Sequence, residues 1–542
     1  MQSLNPTLPV VSLSFPRFVS GIDVTALGII PRSFVQLQHN WAWKLHYKVF
    51  ADLGRDVFII VDSDAPTLRV ADPDLIHEIV TRKTDFPKPI EFYGILDLFG
   101  RNVVTTEHAE WRRHRKVAAP QFSEKNNMFV HRETVRTVKD MFRAWDSTAA
   151  QSPAQSAETS ALLAGNTGGV VIDVTNDMMK LALHVISSAG FGLKIDWVES
   201  ESELKLPANH KMSFKTAIEE VINSLLLKLM LPKFVYSLPI KRIQHLKDCF
   251  EEFELYLREM IRSADAQTEA NLLVSLAKAV KTEDPANSIL TEQELVGNMF
   301  IFLFAGHETT ADALNFSLAL LAINQNAQQR LYDEVKTVIG DKDPEYRHIP
   351  ELVYTLAVMN EALRMYPPVS EIPKISNGRQ SVGGVNLIDR TRITLDVMAL
   401  HHNPKYWGPD PQAFRPERWF ASPECARSAK ATADAVRANA NARSTKEAPA
   451  MDGDLPQQAQ PLYSYNRYAF IPFSEGARSC LGKRFSQIEF ITALAMIVQN
   501  YSVHLPDGAS PEQMLDTQMR ITVQTAEHVK LVFRRRASSA HA

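Results

Sequence analysis

The sequence predicts a mainly α protein with small β-sheets, organised as one large helical domain. Three observations carry this expectation. Helical periodicity dominates from about residue 107 to 370. Strand-like runs are short and scattered: Val57–Val61 pairs across a turn at 62–66 with 67–70, and 521–523 and 529–533 follow near the C-terminus. No linker separates two folding units, so the chain divides into an N-terminal segment (1–44), a main domain (45–535) and a short tail (536–542).

The N-terminal segment holds short apolar pieces broken by Pro, Arg and Asp. None approaches the roughly 20 continuous apolar residues of a membrane span. Contact with a membrane surface is compatible with them. Residues 147–169 read as a polar, small-residue loop. Residues 421–460, rich in Ala, Ser, Arg and Gln, read as a disordered insertion. The most apolar internal stretch, Val296 to Gly306, runs into His307 and Glu308 and reads as a buried helix. A last long apolar helix is expected over 481–499. The chain has 542 residues, 45% of them hydrophobic, and a formal net charge of −3. That balance gives no reason to expect a nucleic-acid partner.

The cysteines are Cys249, Cys425 and Cys480. Their spacing matches no zinc motif, and an odd number fits no disulfide framework. Cys249 lies in an amphipathic helix and reads as core; Cys425 lies in the biased insertion and reads as inert. Cys480 closes the segment Phe473-Ser474-Glu475-Gly476-Ala477-Arg478-Ser479-Cys480-Leu481-Gly482. Gly476 permits a tight bend. The bend delivers Cys480 to the start of the following helix, where free N–H groups favour a thiolate. Gly482, without a side chain, allows a flat macrocycle close approach, and Arg478 can neutralise a carboxylate on it. A buried structural cysteine is the bland alternative.

Three further segments carry chemistry. Ala305-Gly306-His307-Glu308-Thr309-Thr310 lies inside a long helix whose start is capped by Thr291 and Glu294. Gly306 there costs about 1 kcal/mol relative to Ala, so something approaches the backbone or the helix bends. Thr309 can donate a hydrogen bond and Glu308 can relay protons; a polar turn in which Thr bonds a preceding carbonyl is the alternative. Glu361 and Arg364 share a helix face, and Arg418 follows in Pro416-Glu417-Arg418-Trp419. Trp111 and Arg115 share a face at the basic start Trp111-Arg112-Arg113-His114-Arg115-Lys116, which a solvated charged face would also explain.

Together these segments resemble the cytochrome P-450 superfamily, fungal members in particular. The match to F-x-x-G-x-R-x-C-x-G is complete, and Trp111, Thr309, Glu361, Arg418 and Cys480 occur in the family's order. The resemblance spans roughly residues 45 to 535. It implies a haem b between the long distal helix and the Cys480 loop, with Cys480 as iron ligand. The thiolate pushes electron density that favours O–O cleavage. Thr309 and Glu308 would manage protons beside Gly306. Phe473, Gly476, Arg478, Gly482, Trp111, Arg115 and Gly306 would contact the haem, and Glu361, Arg364 and Arg418 would form a structural network. Trp419 departs from the family's usual Phe.

The resemblance further implies electrons from NADPH through a cytochrome P-450 reductase, with cytochrome b5 as an optional second donor. Such a donor would dock on a cationic surface formed by Arg112, Arg113, Lys116, Lys483 and Arg484. The substrate expected is a small apolar molecule, in contact with Phe92, Tyr93, Ile95, Leu96, Phe99, Ile301, Phe304, Val369, Ile372 and the segment near Met519, all of which could equally be core. The location implied is peripheral, on the cytosolic face of the endoplasmic reticulum, or cytoplasmic. The style of the motifs suggests secondary metabolism. A same-fold isomerase or dehydratase working without O₂ and a non-catalytic haem sensor are the alternatives. The Glu308-Thr309 pair argues against both.

Overall fold

A computed structural model describes residues 8–12, 41–61, 66–151, 169–198, 206, 209–231, 235–236, 238–263, 271–281, 290–420 and 466–537. The insertion read at 421–460, with Cys425, lies outside the described residues, as do most of the N-terminal segment, most of the loop at 147–169 and the last residues of the tail. The helices that matter to the site are α1 (His108–Ala118), α2 (Val174–Val185), α3 (Phe214–Met230), α4 (Lys241–Ser263), α5 (Glu292–Ile323), α6 (Val353–Met365), α7 (Val397–His401) and α8 (Lys483–Asn500). The strands are β1 (Val10–Ser12), β2 (Val57–Val61), β3 (Pro66–Val70), β4 (Val170–Asp173), β5 (Glu371–Ile375), β6 (Gln380–Val382), β7 (Val385–Leu387), β8 (Arg392–Asp396), β9 (Tyr501–His504), β10 (Thr517–Met519), β11 (Val523–Thr525) and β12 (Lys530–Arg535). The protein is thus mostly helical with small sheets, as the sequence predicts.

The chain clusters into two compact units. The first comprises residues to Pro89, from Ser156 to Met178 and from Ala311 onward. It holds a five-stranded sheet in the order β1-β2-β3-β8-β5, a three-stranded sheet β4-β12-β9, and the two-stranded pairs β6-β7 and β10-β11. The predicted pairing of β2 with β3 is antiparallel, with Val57 opposite Val70 and Ile59 opposite Leu68. Strand β2 is apolar throughout because both of its faces are covered. Val57 and Ile59 pack with Ile76, Ile79 and Leu395. Phe58 and Ile60 pack with Phe50, Met398 and Val523 on the other side.

The N-terminal piece Val10–Ser12 joins the five-stranded sheet as an edge strand. It runs parallel to β2, Val10 opposite Ile59, with Val11 buried. The strand expected at 521–523 forms two residues later, at Val523–Thr525, where it can pair with Thr517–Met519.

The second unit comprises Ile90 to Gln155 and Met179 to Thr310. It includes α1, α3, α4 and the N-terminal part of α5. The apolar stretch from Val296 is buried helix as expected, with Val296, Met299 and Leu303 inaccessible. A π-helical segment, Ile186–Gly190, continues α2. No described helix is long and apolar enough to cross a membrane.

Candidate active site

The Cys480 loop is fixed by its own backbone. The Ser474 amide donates to Ile471 O at 2.9 Å, the Ser479 amide to Gly476 O at 3.1 Å, and the Cys480 amide to Phe473 O at 2.9 Å. Gly476 sits at φ +74°, and a Cβ there would lie 2.9 Å from the Val80 carbonyl oxygen. Conformation and space both demand glycine. Helix α8 begins at Lys483 with Gly482 as its N-cap, so Cys480 precedes the first helical turn, as expected. Cys480 is exposed, whereas Cys249 is buried. Arg478 is half-buried in the same turn.

Behind the loop lies the buried carboxylate of Glu361. Arg364 donates to it through Nε at 2.9 Å and Nη2 at 2.8 Å, and Arg418 through Nε at 2.9 Å. The Arg415 amide and the Trp419 indole add bonds of 3.0 Å each. Burial acts to raise the Glu361 pKa, but the Arg364 charge, its hydrogen bonds and Arg418 prevail and hold it below the usual value. The sequence-predicted triad therefore exists, and Trp419 joins it.

The network reaches the Cys480 loop through His401. Arg364 Nη1 donates to the His401 carbonyl at 2.9 Å, and the Ile471 amide donates to His401 Nε2 at 2.9 Å. Ile471 in turn accepts from Ser474. Burial, then the nearby Arg364 charge, pull the His401 pKa down to about 3, so its ring stays a neutral acceptor. Phe470 packs against His401 and Trp419, with ring centroids 5.1 and 4.6 Å apart.

In the second unit, the capping box predicted at the start of α5 is present. Thr291 Oγ1 accepts from the Glu294 amide at 3.2 Å, and Glu294 accepts from the Thr291 amide at 2.8 Å. The helix runs unbroken through Gly306. A Cβ at Gly306 would meet the Ile186 side chain at 3.3 Å, so the approach inferred from sequence includes one from the π-helical segment. Thr309 Oγ1 donates to Ala305 O at 2.9 Å, and Glu308 beside it is buried. On α1, the Arg115 guanidinium lies 5.9 Å from the buried Trp111 ring, on the shared face that their spacing predicts.

Two expectations need correction. Arg113 does not belong to a free cationic surface. It pairs with Glu294 through both terminal nitrogens, one at 2.8 Å, and holds the Glu294 pKa at about 2 against the effect of burial. Phe99, read as a substrate contact, is core: it stacks on Phe250 at 5.7 Å and meets Phe253 and Phe300 edge-on or tilted. Leu96, Ile301 and Phe304 are buried too, whereas Phe92, Val369 and Met519 are exposed.

The sequence model of one family, cytochrome P-450, matches residues 31–533. The chain belongs to the cytochrome P-450 family. It is similar to cytochrome P-450 monooxygenase 124 of Postia placenta, with 35% identity across 91% of this chain and 88% of that protein. It is 30% identical to cytochrome P-450 monooxygenase prx9 of Penicillium rubens over 92% of this chain and 85% of the relative. A phomenoic acid biosynthesis cluster monooxygenase of Leptosphaeria maculans shares 25% identity over 85% and 77%. The protein is accordingly a P-450-type monooxygenase, and family membership implies a haem cofactor.

The residues present fit that group. Of the described thiols only Cys480 is exposed, on a turn held by backbone bonds just before α8, and its thiolate is a soft donor suited to haem iron. Sequence reasoning missed His401 and the Trp419 indole in this P-450. The segment His401-His402-Asn403-Pro404 announces a turn, but no spacing rule relates it to Ile471, which lies 70 residues on.

Proposed function

We propose that this P-450 activates O₂ and hydroxylates a small apolar substrate of secondary metabolism. Electrons would come from NADPH through a cytochrome P-450 reductase, with cytochrome b5 as an optional second donor, at the cytosolic face of the endoplasmic reticulum. The observation that carries the reading is the exposed Cys480 on a turn tied through Ile471 and His401 to the buried Glu361 network. When bound, the haem supplies oxygen activation and the oxidising power for a C–H bond.

The chain's own residues do the rest. Cys480, as thiolate, holds the iron, and the Glu361–Arg364–Arg418 network keeps the loop in place without touching the reacting atoms. Gly476 and Gly482 shape that turn, and Phe473 closes it by accepting from Cys480. Arg478 would hold a haem carboxylate, and by family resemblance Trp111 and Arg115 would do so as well. Thr309 Oγ1 donates to Ala305 O; turned from that carbonyl, the hydroxyl would donate to the oxygen being reduced and pass its proton to it. Glu308 replaces the proton. Gly306 keeps the helix surface low where oxygen must fit. The fungal relatives, one of them named for a biosynthetic cluster, support a secondary-metabolite substrate.

The test is spectroscopic. The reduced carbonyl complex of the wild type should show the thiolate Soret band, and Cys480→Ala should lose it. Titrating the ferric protein with apolar metabolites should shift the Soret band toward high spin for the substrate class. A well-folded, haem-loaded wild type without the thiolate band would end this reading.

A further inference from the structure

Helices α3 and α4 of the second unit bring together side chains that the monooxygenase chemistry does not use. His245 and Cys249 lie four residues apart on α4, and so on one face. Glu220 on α3 faces them. One carboxylate oxygen of Glu220, one imidazole nitrogen of His245 and the thiol sulfur of Cys249 all lie within 4.8 Å of one another. Cys249 Sγ and His245 Nε2 are 3.6 Å apart.

We propose that Glu220, His245 and Cys249 form a zinc site that staples α3 to α4. The distances argue for it first. Zinc bonds of about 2.3 Å to sulfur and about 2.0–2.1 Å to nitrogen, at a tetrahedral angle, place the two donors about 3.6 Å apart. That is the separation found between Cys249 and His245. A thiol–imidazole hydrogen bond alone would explain that one distance. It would not by itself bring a carboxylate of the neighbouring helix within 4.8 Å of both donors.

The graded burial argues for it next. Cys249 is buried, Glu220 half-buried and His245 exposed. A cation entering from the His245 side finds the soft donor at the bottom, and a water completes the fourth position. Thiolate, carboxylate and neutral imidazole around Zn²⁺ sum to zero net charge, which suits a half-buried place. Binding exchanges the thiol proton for the cation: Cys249–SH plus Zn²⁺ gives Cys249–S–Zn⁺ plus H⁺.

The test uses the full haem-loaded chain, stripped with a chelator, given one equivalent of zinc chloride and desalted. Elemental analysis should find about one zinc per haem. Absorption at the zinc K-edge, which haem iron does not obscure, should show one sulfur at about 2.3 Å with lighter atoms near about 2.0 Å. Competition with a chromophoric chelator should show Cys249→Ser and His245→Gln weakening zinc binding by more than about tenfold while haem content holds. His245 is exposed, so its variant reports on the site even if the Cys249 variant folds poorly. Failure of the wild type to retain zinc, a zinc shell without sulfur, or equal retention by the His245 variant would overturn the proposal.

Discussion

Trp419 Nε1 donates to Glu361 Oε2 at 3.0 Å, and both residues are buried. The residue that departs from the family's usual phenylalanine thus acts as a further donor to the carboxylate on which Arg364 and Arg418 converge. Restoring the phenylalanine, Trp419→Phe, removes one hydrogen bond to a charged group and should cost about 1.5–3 kcal/mol. Glu361→Gln leaves two guanidiniums short of their counter-charge and should cost more, about 3–5 kcal/mol. Urea unfolding with haem absorbance as the probe ranks the two. Equal losses would mean that the indole bond matters as much as the charge.

His401 links the network to the thiolate loop, and its titration carries a sign. Its folded pKa, about 3, lies below its ordinary 6.5. An unfolded chain therefore takes up a proton that the folded one refuses. The stability this contributes is complete above about pH 6.5 and is lost as pH falls toward about 3, by about 1.4 kcal/mol per pH unit. His401→Gln should flatten the loss of stability between pH 6.5 and 4.5 relative to wild type, and should speed haem release at neutral pH. An unchanged slope would show that this ring does not titrate as its burial implies.

Glu489 on α8 behaves in the opposite sense. It is fully buried, neither carboxylate oxygen has a hydrogen-bond partner among the described residues, and burial raises its pKa well above the usual value. The stability associated with its neutral form is present below about pH 4.3 and is lost as pH rises toward the raised pKa. Glu489→Gln should therefore gain on wild type by about 1.4 kcal/mol per pH unit across that window. Denaturant midpoints at pH 5, 6 and 7 would reveal it, and parallel pH profiles would refute it.

Thr309 offers a test of proton handling. Thr309→Ala should lower product formed per NADPH consumed by about tenfold or more, with peroxide released instead, while Thr309→Ser should restore coupling. Because Thr309 also bonds the Ala305 carbonyl, unfolding of both variants should be measured alongside. Loss of coupling with stability intact assigns the hydroxyl to proton transfer.

The sequence made the local devices legible: the β2–β3 pairing, the Thr291–Glu294 capping box, the glycine bend at 476 and the shared faces of Trp111–Arg115 and Glu361–Arg364. Each depends on neighbours within a few residues, where spacing fixes geometry. What it hid depends on distant contacts. Arg113 looked like part of a charged surface because Glu294, its partner, is 181 residues away. Phe99 looked like a ligand contact because any aromatic in an apolar loop does, and only packing against Phe250 and Phe300 shows it to be core. His401 and the Trp419 indole escaped notice for the same reason.

Gly100 and Gly297 mark where the loop before α1 crosses α5. A Cβ on Gly297 would come within 2.3 Å of the Gly100 carbonyl oxygen, and one on Gly100, at φ +125°, within 2.3 Å of the Gln293 carbonyl oxygen. Each glycine is blocked by main chain, so no second substitution can make room for the first. The crossing itself is a fixed pivot that mutagenesis libraries should leave untouched.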